Sequence, residues 1–242
     1  MSHTLPDYTT KYKLAKIFGN VDNAELAARL GACSTMDRRG NLIWYDDFEA
    51  AAAVKWDVAG DAGYTMAYST DRAWMGNQSM KTVTHTDAAD NVILEKSFCL
   101  PLERRIGIEF MFNMTTGKPE ISILILGYTG AFCFNAIVQY NHNTGKLYYL
   151  NSAGAYVELT RHDSTTITNE SWFFMKLVID WDVKEYVRFI FCGTEYDLTG
   201  IPIRTWASIL ERHVDIFLYN TAVTAAASTV YFDNFILTQN EP

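Results

Sequence analysis

The sequence predicts an all-β chain, an antiparallel β-sandwich preceded by a short arm that holds one small helix. Three observations lead there. Ile106, Ile108, Phe110 and Phe112 alternate with Arg105, Gly107, Glu109 and Asn113, the period of two that gives a strand one apolar face. Further apolar runs of strand length follow, separated by Gly, Asn, Pro and Ser turn signals. Beyond residue 41 helical periodicity is almost absent, and no repeat of roughly 20–50 residues points to a propeller or solenoid.

Taken in order, residues 1–41 form the arm. Asp22 and Glu25, three residues on, make a capping-box-like helix start, Ala24 to Leu30 are good helix formers, and Gly31 suits a left-handed end. A helix of about two turns is marginal alone in water, so Leu26 and Leu30, which share one face, are expected to pack on the sandwich or on another chain. The string Leu42-Ile43-Trp44-Tyr45-Asp46-Asp47-Phe48-Glu49 opens the sandwich, which spans 42–242, and Val230-Tyr231-Phe232-Asp233-Asn234-Phe235-Ile236-Leu237 closes it. Between them, Glu120 to Leu126 and Phe132 to Tyr140 are apolar on both faces and suit interior strands. Trp172 to Trp181, Tyr186 to Cys192, Val214 to Tyr219 and Thr229 to Thr238 continue the series, for about a dozen strands in all. Turns fall at Thr116–Pro119, Asn141–Lys146, Ser152–Gly154 and Cys192–Thr194.

Composition bounds the function. With 49% hydrophobic and 20% charged residues a full core forms and global disorder is excluded. No run approaches the roughly 18 apolar residues of a spanning helix, so no membrane role is expected. Met1–Pro6 lacks a basic stretch leading into an apolar one, so synthesis in the cytoplasm without a secretion signal is expected, with the sequons at Asn77, Asn113 and Asn169 unused. Cys33, Cys99, Cys133 and Cys192 form no CxxC pair, and the last three lie in apolar runs where buried free thiols are expected. The net charge is −8, yet residues 1–41 hold six basic against four acidic residues, so the body carries −10. An acidic body argues against nucleic acid as partner. A basic arm suits docking onto an acidic neighbouring subunit.

The strings Trp44-Tyr45-Asp46-Asp47-Phe48-Glu49, Trp172-Phe173-Phe174-Met175-Lys176-Leu177-Val178-Ile179-Asp180 and Tyr231-Phe232-Asp233-Asn234-Phe235 resemble the concanavalin A-like lectin/glucanase superfamily, laminin-G-like modules included, over residues 42–238. The resemblance implies a jelly roll of two large curved antiparallel sheets. In that superfamily the concave face often binds glycans, some branches hydrolyse them, and others make only protein contacts. It also implies a structural calcium near the first and last strands. The arm with its sandwich is similar to structural proteins of tailed-phage particles, on Ala24-Glu25-Leu26-Ala27-Ala28-Arg29-Leu30-Gly31 and Asp37-Arg38-Arg39-Gly40.

Three chemistries have candidate residues. Calcium takes six to eight hard oxygen ligands, and pairing of the first and last strands would bring Asp47 and Glu49 to Asp233 and Asn234. The competing reading has these carboxylates capping strand ends or pairing with Arg38 and Arg39. Glycoside hydrolysis needs two carboxyls at a set spacing. Asp180-Trp181-Asp182-Val183-Lys184-Glu185 is faintly similar to the E-x-D-x-x-E signature of sandwich-fold glucanases, but its first carboxylate is the shorter Asp and Val183-Lys184 reads as a hairpin, so a solvated turn is expected. Glycan binding uses exposed aromatics with amide partners. Trp74, Tyr140, His142 and Tyr149 are the candidates, from a wider set with Trp56, Tyr148 and Tyr156. The five histidines lack HExxH spacing, and no GxSxG, Walker or GxGxxG motif occurs. The expected function is therefore non-enzymatic: a jelly roll anchored by residues 1–41 in a larger protein assembly, as on a virion or particle surface, with glycan binding as its outward activity. A free lectin-like module and a sandwich-fold glycosidase are the alternatives.

Overall fold

The computed structural model describes residues 36–37, 39–49, 55–99, 104–162 and 171–242; the helix expected at 22–31 lies outside them. Met36–Pro242 forms one compact unit, so the sandwich begins upstream of Leu42. All regular elements among the described residues are β-strands, packed as two antiparallel sheets. Sheet A runs β13 (Thr194–Asp197), β12 (Glu185–Phe191), β11 (Trp172–Asp180), β6 (Arg105–Thr116), β16 (Thr229–Gln239), β4 (Ser79–Val83), β3 (Thr65–Ser69), with β1 (Asn41–Asp46) also on β16. Sheet B runs β10 (Tyr156–Arg161), β9 (Lys146–Leu150), β8 (Phe132–Asn141), β7 (Pro119–Tyr128), β15 (His213–Ala222), β5 (Asn91–Phe98), β2 (Asp57–Gly60), with β14 (Arg204–Ala207) also on β8.

Alternation builds the core. Ile106, Ile108, Phe110, Phe112 and Met114 of β6 meet Ile121, Ile123 and Ile125 of β7 and Ile216 and Leu218 of β15 in one cluster between the sheets. Phe112 stacks on Phe173 with centroids 5.1 Å apart, a pairing that adds about 0.5–1.5 kcal/mol to the area both rings bury. The opening and closing strings pair as expected, Asp46 opposite Phe235. A bulge between Asp233 and Ile236, with Asn234 at φ 52, lets Phe232 and Phe235 both enter the core although they are three residues apart.

The other face of β6 departs from the alternation. Glu109, Met111 and Asn113 are buried there, although alternation would put them in water. Their cover is partly ionic. Lys176, opposite Glu109 in the ladder and fully buried, lies 3.0 Å from Asp37, 2.8 Å from Glu241 and 3.7 Å from Glu109. Arg188 binds Glu241 and donates to the Pro242 carbonyl at 2.7 Å. The Met36 amide donates to Glu109 at 2.7 Å, and Arg39 pairs with Glu195. Gly107 is required here, since a Cβ would stand 2.6 Å from both Glu241 and Thr238. Both ends of Met36–Pro242 are thus fastened to the outer face of sheet A. Of the three thiols expected to be buried, only Cys133 is: Cys99 and Cys192 lie just past the ends of β5 and β12 and are exposed.

Candidate functional site

The residues expected to hold calcium meet at a gap in sheet A. On one edge of β16, β4 pairs up to Phe232 and β1 from Phe235, and the loop Trp74–Gln78 fills the space between. Asp233 accepts the amides of Trp74 (2.7 Å) and Met75 (3.2 Å), and Glu49 those of Asn77 (2.7 Å) and Gln78 (2.8 Å). Gly76 sits between at φ 74, where a Cβ would strike the Glu49 carboxylate. Burial pushes the Asp233 carboxyl up to about 7 against its three amide hydrogen bonds, and the Glu49 charge adds to the rise. Neither carboxylate forms an ion pair among the described residues, and backbone amides are their partners. Asp47 does not join them: its Oδ1 accepts the Glu49 amide at 3.2 Å, closing its own turn. Asn234 holds the bulge rather than extending a ligand set. Of the four expected ligands, Glu49 and Asp233 are thus brought to one loop, each accepting two of its amides. Asp46, which sequence reasoning passed over, is buried and binds the Trp56 indole at 3.0 Å and Lys55 at 2.8 Å.

The expected glycan residues scatter. Tyr140 is fully buried in the core, and its hydroxyl lies 3.2 Å from His142 Nδ1; burial lowers the pKa of that imidazole. Tyr149 faces inward against Tyr186. Strand parity explains both, since Tyr140 follows Ala136 and Val138 on the inner face of β8. Trp74 is 40% exposed but stands beside Trp172, which packs against Met111, Phe174 and Ile190 on the outer face of sheet A. Trp56 belongs to the core.

The outer face of sheet B carries what these residues lack. The same parity turns Tyr219 and Phe217 of β15, Glu120, Ser122 and Leu124 of β7, and Asn135, Ile137 and Gln139 of β8 outward, in register: Tyr219 beside Ser122 beside Gln139 beside Tyr148, and Phe217 beside Leu124 beside Ile137. Tyr156 of β10 flanks this row, and Tyr128, stacked on His213 at 4.3 Å, lies at one end with Trp206, over which Arg204 sits at 5.7 Å. The middle of the face is sheltered, with Ser122, Gln139 and Ile137 only 5–8% exposed. Burial raises the pKa of Tyr219, Tyr156, Tyr128 and Glu120 together. Asn135 Oδ1 is buried and accepts no hydrogen bond. Half-dehydrated aromatics interleaved with amides form a surface that can stack on a sugar ring and bond its hydroxyls. Of the wider set, Tyr148 and Tyr156 lie here.

Other clusters have structural roles. Asp180 accepts the amides of Asp182 (3.1 Å) and Val183 (3.3 Å) and pairs with Arg105, so the glucanase-like string is the β11–β12 turn. Two concavities of about 200 and 390 Å³ border the ionic cover of sheet A, far from the aromatic face. The first is lined by Met36, Asp37, Arg39 and Glu195 and the second by Arg105, Asp180, Asp182 and Glu241. His85, Asp87 and Asp90 place one ligand atom each within 4.8 Å of one another on the surface loop before β5, at ordinary charge-pair distances. Among the described residues no helix is long and apolar enough to cross a membrane.

No family model matches the chain, and no curated protein does. Solved structures do. An endo-β-1,4-glucuronan lyase from the fungus Trichoderma reesei is 14% identical over 83% of this chain and 96% of its own, with a TM-score of 0.57. A galectin-like protein of unknown function from Bacillus subtilis is 13% identical over 84% of this chain and 98% of its own, with a TM-score of 0.51. A sialidase is 9% identical over 84% of this chain, which spans 19% of that longer protein, with a TM-score of 0.54. The fold is thus the concanavalin A/galectin-like jelly-roll sandwich.

Proposed function

We propose that this chain is a carbohydrate-binding module that holds its glycan on the outer face of sheet B and is carried by its N-terminal residues in a larger assembly such as a virion surface. One observation carries the reading: the row Tyr219–Ser122–Gln139–Tyr148 with Phe217, Tyr156 and Trp206 around it, sheltered from water with no strand of the described residues laid across it. Two of the fold neighbours are named for glycans, which agrees with this use of the surface. Anchoring is supported by the contacts of Met36, Asp37 and Arg39, which lie on the outer face of sheet A, opposite the proposed glycan face. A calcium held by Glu49 and Asp233 would serve the fold, by fixing the β3–β4 loop that fills the gap between β1 and β4 along β16.

The face binds and does not cleave in this reading, since the glucanase-like carboxylates close a turn. A glycan array should give saturable binding that Tyr219→Ala or Phe217→Ala weakens by tenfold or more, the loss typical of a central aromatic anchor, about 1.4 kcal/mol or above. Array binding that ignores both substitutions would sink the assignment of the face. Release of new reducing ends from a bound oligosaccharide would sink the non-enzymatic part.

A further inference from the structure

The charge on the glycan face is one-sided. On β2, β5, β15 and β7 the outward positions hold Asp57, Glu95, Asp215 and Glu120, one histidine, and no lysine or arginine. The histidine, His213, lies 3.4 Å from Asp215 and is matched to it. Lys96 of β5 turns the other way, donating to the Lys55 carbonyl and lying over Trp44. Among the described residues of this face, basic groups stand at the far edge: Lys146 with Glu158 at 2.6 Å, Arg161 opposite Lys146 in the ladder, and Arg204 over Trp206. Asp57 and Glu95 face each other directly across the β2–β5 ladder, an arrangement of like charges that costs stability. Burial raises the pKa of Glu95, and the Asp215 and Asp57 charges raise it further, while Glu95 forms no ion pair among the described residues.

We infer that this face selects non-acidic glycans, neutral sugars and amino sugars, and rejects uronic and sialic acids. The inference rests on the glycan reading of sheet B. Carboxylates accept hydrogen bonds from sugar hydroxyls and attract an ammonium group, so neither ligand class is opposed by them. A sugar carboxylate laid along Phe217 and Tyr219 would meet Glu95 and Asp215 on one side and Glu120 on the other, in a partly dehydrated setting where repulsion is poorly screened. Fold likeness would suggest the opposite, because the glucuronan lyase and the sialidase are named for acidic sugars.

The test is titration calorimetry of the full chain with cellotetraose, xylotetraose, β-1,4-galactotetraose, a chitosan tetramer, tetragalacturonate, tetraglucuronate and sialyllactose, at about 25 mM and about 500 mM salt. At least one neutral or amino-bearing oligomer is expected to bind at least about tenfold tighter than every acidic one. The gap should narrow at high salt and in Glu95→Gln, alone and combined with Asp215→Asn. Equal or tighter binding of an acidic oligomer overturns the charge inference, as does a gap that the neutral variants leave unchanged. If an acidic oligomer binds and Tyr219→Ala abolishes it, the face keeps its glycan role and only the charge selection is lost. If nothing in the series binds, both readings fall.

Discussion

Replacing Lys176 with methionine tests the ionic cover of sheet A. The substitution keeps length and apolar stem and removes only the ammonium, which lies 2.8 Å from Glu241, 3.0 Å from Asp37 and 3.7 Å from Glu109 with no exposure to water. Arg188 then remains as the buried cation, beside Glu241 and 3.7 Å from Asp37. Breaking a buried pair in this one-sided way costs about 3–5 kcal/mol, because the remaining carboxylates stay dehydrated without their partner. For a chain of this size that is a fall in Tm of about 6–20 °C. Urea and thermal unfolding at pH 8 measure it. Protons offer a second check: burial outweighs the Lys176 charge and the Met36 amide and pushes the Glu109 carboxyl up to about 7, so at pH 5.5 Glu109 is neutral and the loss should shrink to about half. Lys176→Met combined with Glu109→Gln should recover part of the loss at pH 8, by a coupling of about 1 kcal/mol or more. A loss below about 1 kcal/mol at pH 8, or one equal at both pH values, would refute the reasoning.

Other outcomes follow from the same contacts. Glu109 and Asp233 have folded-state pKa values raised to about 7, so each stabilises the fold fully below its ordinary value and ceases to as pH rises through 7. Between pH 5.5 and pH 8 each gives up about 2 kcal/mol, so without metal the unfolding free energy should be higher at pH 5.5 than at pH 8; a flat or rising profile would contradict their burial. Calcium at a hundred times its Kd should raise stability at pH 8 by about 2.7 kcal/mol, and Glu49→Gln should abolish the rise in calorimetric Tm; an unchanged rise places the ion elsewhere. Gly107→Ala should destabilise by about 2 kcal/mol, since the methyl displaces Glu241 or Thr238, and urea unfolding decides it. Truncation before Met36 should leave Tm unchanged while abolishing assembly, whereas truncation before Leu42 should also lower Tm, because Asp37 and Arg39 are lost from the cover.

Much of the sandwich was legible because a strand with one dry face announces itself. The alternation at Ile106–Phe112 and the runs at Glu120–Leu126 and Phe132–Tyr140 all became strands, and the opening and closing strings paired. Short edge strands such as β2, β3, β13 and β14 were missed, since four or five mostly exposed residues carry little apolar pattern. The corner around Asp233 was half legible as geometry. Pairing of β1 with β16 brought Glu49 and Asp233 to one loop, but turn geometry assigned Asp46 and Asp47 to different tasks. Nearness to loops points to Tyr140 and Tyr149, whereas counting by twos from Val138 sends Tyr140 inward and Gln139 outward. Lys176 was also a readable signal. A single lysine inside Phe173–Ile179 faces the side away from Met175 and Leu177, and a dry strand holds such a group only with partners.

Under the proposed function the two outer faces would have separate tasks. Lys176 touches both Asp37 and Glu241, and Arg188 touches Glu241 and Pro242, so one pair of cations fastens the beginning and the end of Met36–Pro242 to sheet A. Beyond Arg39 the chain enters β1, whose ladder partner β16 also pairs with β6 and β4 and so lies inside the sheet. A pull on the chain at Met36 would load the ionic cover first and then the β1–β16 ladder. Sheet B shares no ladder with either, and its ligand face lies a full sandwich away. Attachment and recognition then act through different sheets, and a strained anchor leaves Tyr219, Phe217 and Gln139 in register. A reversal, with the anchor on sheet B and the open aromatic row on sheet A, would place the same load on the strands that align the ligand.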